Sequence, residues 1–366
     1  SSMMLRPFIG SLLLAPVVMA VETKAPDITQ NGIQTAFRVL QKEYIRSGDL
    51  TFDELNRAAL HGLLERLQFG AELVSRTENA KLADPGGVQA DTLRPGIALL
   101  RPKAFRKEEI AAMEQHLARF VKEGAKHLIL DLRAPAAPGD FDVAAAMLGL
   151  FVPENEVLFK TRQMTESNTE VLRSEREPLW KTSLLVLIDN DTCNVGEAIA
   201  AVLRQRKQAL LIGTPTRGAA VRYETIPVDT NWSLRFARAE VLLPDDSSIF
   251  RKGLAPDFPV ALAEKTKLAF FDPENKTRPA STITDTPRVR FNEAALVAGK
   301  NPELDSYIRR SAGEPLPEDQ QKPRDTVLQR AVDFLITSDH LQAAKINWSQ
   351  KLPPEPPAPK AVPVNE

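Results

Sequence analysis

The chain has 366 residues, with 47 lysines and arginines against 48 aspartates and glutamates, and a formal net charge of −1. This balance excludes the strongly basic surface typical of nucleic-acid binding, and it excludes a polyacidic tail. The single cysteine, Cys193, excludes an internal disulfide framework and a cysteine-based zinc site. The four histidines have no metal-ligand spacing, so neither a metal nor a cofactor is expected.

Residues 1–20 have the pattern of a secretory signal peptide. Arg6 is their only charged residue, 8–20 is apolar, and Val18-Met19-Ala20 fits a small-residue cleavage site. The apolar stretch is too short to span a bilayer, and the alternative is a buried or frayed N-terminal segment. We expect a periplasmic or secreted protein whose mature chain begins near Val21 and has no membrane span.

Hydrophobic spacing predicts an α/β fold. Helices are expected within 27–69, with Thr51 and Glu54 forming a capping box, followed by a loop or weak hairpin over 70–94. Strands are predicted at 96–100, 127–132, 184–188 and 209–212, alternating with helices at 107–123, 141–150 and 195–206. This alternation is typical of βαβ units around a largely parallel sheet.

The C-terminal third is predicted to contain antiparallel strands at 232–236 and 240–243 and helices near 292–311 and 324–341. The predicted organisation is 1–20 signal peptide, 21–94 N-terminal helical region and loop, 95–265 core, 266–290 linker, 291–345 helical extension and 346–366 proline-rich disordered tail.

Four segments, in order, resemble the C-terminal processing (tail-specific) serine peptidase family. They are 96–133, which ends in LILDLR, 141–163, 184–218, and 238–260, which contains Gly253-Leu254-Ala255-Pro256-Asp257. The resemblance implies a crotonase-like α/β core. Many members carry a PDZ module before this core, but the 70–95 segment is too short for one, so that module is expected to be absent.

The family's nucleophile is a serine three residues before a glutamate. Here Glu197 matches the glutamate, and Asn194 therefore occupies the nucleophile position. A carboxamide cannot attack an acyl carbon, because its nitrogen lone pair is delocalised. We therefore expect Asn194 to serve as a helix N-cap and not to have a catalytic role.

The family's general base is a lysine in G-x-x-T-x-G-K-G, with a glutamine four residues later. Gly213, Thr216 and Gly218 match this pattern, but Ala219 replaces the lysine and Tyr223 replaces the glutamine. With nucleophile, base and orienting residue all replaced, the sequence predicts a catalytically degenerate site.

The family's N-P-G-G segment contributes to the oxyanion pocket. Pro138 and Gly139 match part of it, whereas Asp140 replaces the second glycine and would oppose a developing negative charge. The predicted peptide-binding residues are Pro138, Gly139, Thr192, Asn194, Arg217, Gly218 and Arg222. The two arginines could hold a peptide carboxylate, or they could be solvated surface residues.

Cys193 and, less favourably, Thr192 are the fallback nucleophiles, because a helix N-terminus can lower a thiol pKa. The alternative for Cys193 is simple packing at the helix start. His127, Asp131 and Arg133 are predicted to be structural residues at the two ends of a strand.

The leading hypothesis is a pseudopeptidase that binds a peptide or unfolded protein segment by adding it to a sheet edge, or that pairs with an active relative or with itself. The alternatives are an endopeptidase that uses Cys193 or Thr192, and a protein that binds a small apolar ligand.

Overall fold

The computed structural model describes residues 28–76, 86–134, 139–163, 169–272, 274–284, 311 and 323–344. The predicted signal peptide, most of the predicted 292–311 helix, the proline-rich tail and Pro138 lie outside these residues. The chain divides into two compact units, 1–66 and 67–366. Within the described ranges, no helix combines the length and the apolar character that crossing a membrane requires.

The N-terminal unit contains α1 (Gln30–Glu43) and most of α2 (Phe52–Leu67), which confirms the predicted helices. Thr29 caps α1 by accepting a hydrogen bond of 3.1 Å from the Gly32 amide. Thr51 likewise accepts a 3.1 Å bond from the Glu54 amide at the start of α2, as the capping-box pattern predicts.

The second unit contains two sheets and five helices in its described part. The strands are β1 (Ala71–Ser75), β2 (Val88–Arg94), β3 (Ile97–Pro102), β4 (His127–Asp131), β5 (Val157–Arg162), β6 (Thr169–Arg173), β7 (Ser183–Ile188), β8 (Ala209–Gly213), β9 (Val221–Pro227), β10 (Trp232–Leu242) and β11 (Phe258–Pro259). The helices are α3 (Lys107–Lys122), α4 (Phe141–Leu148), α5 (Val195–Gln205), α6 (Glu264–Phe271) and α7 (Thr326–Ala343).

The first sheet has the order β11-β8-β7-β4-β3-β2 and is parallel except for β2, which runs antiparallel to β3. Its central strands are the predicted continuous apolar runs, and they are buried on both faces. On one face Leu128 and Leu130 belong to the same core as residues of α3, α4 and α5. On the other face Ile129 packs in a cluster with residues of α7.

The second sheet is antiparallel, with the order β1-β10-β5-β6 and with β9 on the other side of β10. Two predictions are wrong here. Residues 70–94 are not a hairpin, because β1 pairs with β10 in one sheet and β2 pairs with β3 in the other. The predicted strands 232–236 and 240–243 form one strand, since β10 continues through a bulge between Ala237 and Ala239.

The described part of the predicted 266–290 linker is folded. It contains most of α6 and a short 3-10 helix, Pro279–Thr282, whose Ala280 amide donates to Asp91 at 3.1 Å. Thr282 is buried, and its carbonyl accepts a 3.0 Å bond from the Asp325 amide. This part of the predicted linker is therefore packed against the core, with Pro279 and Thr282 buried, which its composition alone did not indicate. The predicted 324–341 helix is confirmed as α7.

A buried charge network joins β3, β4 and α7. Arg133 donates to Asp131 at 2.9 Å through Nε and to both oxygens of Asp325 at 3.0 and 2.7 Å. Arg101 bonds to Asp131 at 2.9 Å, and all four side chains are buried. Burial would raise the pKa of Asp131, but the two guanidiniums overcome this effect and hold that pKa well below its usual range. The structural roles predicted for Asp131 and Arg133 are confirmed.

Asp325 is also the N-cap of α7, because its Oδ1 accepts a 3.0 Å bond from the Leu328 amide. We expect Asp325→Asn to lower the free energy of unfolding by about 3 kcal/mol. The substitution leaves two buried guanidiniums with only one carboxylate, so one positive charge in the interior has no counter-charge. Asp325→Ala should cost about 1 kcal/mol more, because it also removes the cap. Urea unfolding measures both changes, and the exposed Asp333→Asn on the same helix is the control. Equal unfolding midpoints for Asp325→Asn and wild type would contradict the network's role.

Candidate functional site

A cleft of about 820 Å³ opens beside the second sheet. It is lined by 72–75 of β1, residues of β9 and β10, the segment 139–141 that leads into α4, and Asn194. Asn194 lies in the turn that leaves the first sheet, because β7 ends at Ile188 and α5 begins at Val195. The fold thus places the predicted nucleophile position at a strand-to-helix turn inside a cleft.

Asn194 has a backbone conformation that side chains rarely adopt, with φ 53° and ψ −116°. Such a conformation costs about 1–3 kcal/mol and persists only where the surroundings fix it. The side chain is 4% exposed, and it bonds to two segments across the cleft. Its Oδ1 accepts from the Gly139 amide at 3.2 Å, and its Nδ2 donates to the Val221 carbonyl at 2.6 Å.

These contacts correct the expected N-cap role. Asn194 stands at the N-cap position, and its carbonyl accepts the Ala198 amide at 3.2 Å, but its side chain makes no capping hydrogen bond. The Gly139 amide, which the family resemblance places in the oxyanion pocket, is instead bonded to the chain's own carboxamide. Gly139 itself is required by space, because an added Cβ would lie 2.8 Å from the Cβ of Phe105.

The predicted base position holds a buried alanine. The Ala219 amide donates to Glu197 at 2.7 Å, beside a 2.6 Å bond from the Gly218 amide and a 2.5 Å bond from the Thr216 hydroxyl. Burial raises the pKa of Glu197, and these hydrogen bonds offset only part of that effect. In the part of the chain that the structure describes, no lysine or arginine pairs with this carboxylate.

Gly218 packs against the segment 251–253 and does not line the cleft. Its φ is 82°, and an added Cβ would lie 2.9 Å from the Gly253 nitrogen. The Arg251 amide donates to the Gly218 carbonyl at 2.7 Å. Gly218 and Gly253 therefore allow the main chains of their two motifs to approach each other closely.

The wall formed by β1, β9 and β10 carries paired charges. Arg235 bonds to Glu72 at 2.7 Å, and its guanidinium lies 4.0 Å from the centre of the Tyr223 ring. The Tyr223 hydroxyl donates to the Phe69 carbonyl at 2.8 Å, and burial raises its pKa. Arg222 lines the cleft and lies 3.6 Å from Glu170. Tyr223, which replaces the family's glutamine, is thus a wall residue held in place by its own hydrogen bond.

Besides Gly218 and Ala219, three further predicted site residues lie outside the cleft lining. Arg217 pairs with Asp191 at 3.3 Å, so it is not available in the cleft as a carboxylate clamp. Thr192 is buried, and its hydroxyl donates to the Leu132 carbonyl at 2.9 Å. For Cys193, the expected lowering of the thiol pKa is wrong, because burial raises that pKa more than Arg217 lowers it.

Several lining residues were not predicted. The sequence predicts a loop for those from β1, and it predicts a strand without a role at the site for Trp232 and Arg235 of β10. The segment Ala71–Ser75 has two adjacent apolar residues and no strict alternation, so its sequence alone does not predict a strand. Among the described residues, no cluster of three or more histidine, cysteine, aspartate or glutamate side chains could hold a metal ion.

Comparison with known proteins gives a consistent result for the core. Residues 96–260 match the model of peptidase family S41. The chain is 27% identical over 164 residues to the carboxy-terminal processing protease CtpA of Bacillus subtilis, a match that covers 45% of this chain and 35% of that protein. It is 23% identical over 237 residues to the carboxyl-terminal-processing protease of Synechocystis, covering 62% of this chain and 55% of that one.

Among solved structures, that of a proposed peptidase from Parabacteroides merdae superposes with a TM-score of 0.50. It is 17% identical and covers 66% of this chain and 85% of its own, so the likeness is one of fold. The chain spans about a third to a half of the length of the two curated relatives.

The raised thiol pKa gives a test of Cys193 as a nucleophile. We expect iodoacetamide to alkylate Cys193 several-fold more slowly in the native protein than in urea-unfolded protein at neutral pH, because the thiolate is the reactive form. The native rate should still be rising with pH where the unfolded rate has reached its plateau. Mass spectrometry of the modified chain measures both rates, and faster alkylation of the native protein would indicate an activated thiolate.

Proposed function

We propose that residues 96–260, which match the model of peptidase family S41, form together with β1 a degenerate peptidase domain that binds an extended peptide without hydrolysing it. The observation that carries this proposal is the position of the Asn194 side chain. It occupies the place of a nucleophile, cannot act as one, and takes the Gly139 amide as its own hydrogen-bond donor. Ala219 adds a second loss, because it cannot accept a proton.

The cleft favours a peptide over a small apolar ligand. Its lining includes the charged side chains of Glu72, Arg222 and Arg235, and an apolar molecule would remove these charges from water without offering them a new partner. A peptide supplies donors and acceptors along its whole length. The alternative of binding a small apolar ligand in a dry cavity is therefore the weaker one.

Strand β1 offers the edge to which a peptide could bind. The Arg76 amide bonds to the Asn231 carbonyl at 2.9 Å, and the β1–β10 register pairs Leu73 with Leu234. Since hydrogen-bonded and non-hydrogen-bonded pairs alternate in an antiparallel ladder, the main-chain groups of Leu73 point away from β10. Leu73 also lines the cleft, so its amide and carbonyl are placed to receive an added strand.

The endopeptidase alternative depends on Cys193 or Thr192. Neither lines the cleft, the Thr192 hydroxyl is engaged with Leu132, and the thiol is less acidic than usual. These features argue against either residue as a nucleophile. We further propose an extracytoplasmic location, on the pattern of residues 1–20.

The binding edge is tested with Leu73→Pro and Leu73→Ala. Both variants lose the leucine side chain, but only proline removes the outward amide. We expect Leu73→Pro to bind extended peptides about threefold to tenfold more weakly than Leu73→Ala, the equivalent of one hydrogen bond. Fluorescence anisotropy with a labelled peptide library measures the affinities. Equal affinities for the two variants would argue against strand addition at β1.

The lack of hydrolysis is tested on the same library and on an unfolded protein substrate. We expect no cleavage by wild type at high protein concentration, beside Cys193→Ala and Asn194→Ala as matched controls. Cleavage that Cys193→Ala abolishes would make Cys193 the nucleophile and overturn the proposal. Cleavage that survives both substitutions would indicate a contaminating peptidase, which a further purification step would remove.

A further inference from the structure

A second groove, of about 640 Å³, lies beside the cleft. One wall is β6, and the other consists of residues from α3 and α4. On the α4 side the lining residues Ala145, Ala146 and Gly149 have a methyl group or no side chain. Short side chains leave room for a main chain to approach the helix closely.

The two cavities meet at one ion pair. Phe141 lines the cleft and the next residue, Asp142, lines the second groove. Arg222 of the cleft lies 3.6 Å from Glu170 of the second groove, and both side chains are partly exposed. A chain that passes Asn194 in the cleft can therefore continue into the second groove across the Arg222–Glu170 pair.

The second groove also presents a strand edge. β6 pairs with β5 on one side, and no strand pairs with its other side in the described ranges. Val171, in the middle of β6, is 46% exposed. An edge of this kind can hydrogen-bond an added extended segment.

The charges of the second groove select the kind of segment. Its lining has four carboxylates, Glu114, Asp142, Glu170 and Glu175, and two guanidiniums, Arg173 and Arg176. Arg176 is paired with Glu114, and Arg173 donates to the Asn155 carbonyl at 3.0 Å. The groove therefore has a net charge of −2 when all six groups are ionised. Asp142 and Glu175 have no ion pair within the described structure.

We infer that the second groove holds the continuation of the bound peptide and selects lysine or arginine there. This inference rests on the proposed function, since it extends the same bound segment by a few residues. The negative charge is local, because the cleft beside it carries Glu72 and Asp140 against Arg222 and Arg235 and is balanced. Selectivity for basic residues is therefore expected at one part of the peptide only.

The experiment uses the full chain and labelled twelve-residue peptides that differ only in one adjacent pair, Lys-Lys, Ser-Ser or Glu-Glu. The pair is moved along the peptide one position at a time. At one register we expect the Lys-Lys peptide to bind about fivefold more tightly than Ser-Ser at low salt, and the Glu-Glu peptide to bind more weakly. Added salt should reduce the preference, because exposed charges are screened.

Matched variants locate the effect. Asp142→Asn with Glu175→Gln should remove the preference, so that this variant binds the Lys-Lys and Ser-Ser peptides with equal affinity. Glu123→Gln with Glu154→Gln removes the same charge from exposed positions outside both cavities and should keep the preference. A preference that survives in the Asp142/Glu175 variant, or disappears in the control variant, would overturn the assignment.

Failure of this inference and failure of the proposed function give different results. If all three peptides bind equally at every register and Leu73→Pro still weakens them, the peptide-binding cleft stands and the basic selectivity is wrong. If none of the peptides binds, the proposed function fails and this inference fails with it.

Discussion

The four-charge network of Arg101, Asp131, Arg133 and Asp325 is the constraint on which the core depends. It binds the carboxyl end of β4 to β3 and to the cap of α7, which covers the opposite face of the sheet from α3, α4 and α5. Two positive and two negative side chains are buried together, so removing any one leaves an unbalanced charge in a low-dielectric interior.

Asn194 shows how a site can lose its chemistry and keep its shape. Asparagine tolerates positive φ better than most residues, so it suits the strained turn between β7 and α5. Its carboxamide also connects Gly139 to Val221, one on each side of the cleft. The same residue that removes the nucleophile thus holds the two sides in position. Glu197 also connects two segments, because its carboxylate on α5 accepts hydrogen bonds from the amides of Gly218 and Ala219.

Hydrophobic spacing predicts the parallel strands β3, β4, β7 and β8 of the first sheet but not its outer strands β2 and β11, and in the second sheet it predicts β10 as two strands. Runs such as 184–188 are apolar at every position, since parallel strands are buried on both faces, and they stand out without an alignment. β1, β6 and β9 are partly exposed and have no continuous apolar run, and β1 pairs with a strand about 160 residues later in the chain. The replacements at 194 and 219 could be found because each stands inside a matched motif. The contribution of Leu73 could not, because it arises only when β1 pairs with β10.

In the proposed function, the carboxylates that recognise the ligand lie apart from the positions that have lost their catalytic side chains. Near Asn194 both arginines are paired, Arg235 with Glu72 and Arg222 with Glu170, and the carboxylate of Asp140 caps α4. Two further carboxylates without ion pairs in the described structure, Asp142 and Glu175, lie one cavity away. Residues that choose a ligand are therefore different from the residues that would have cut it. In the proposed function, replacing the nucleophile and the base leaves the strand edge of β1 and the acidic groove intact, and a peptide can be selected and held although no bond is broken.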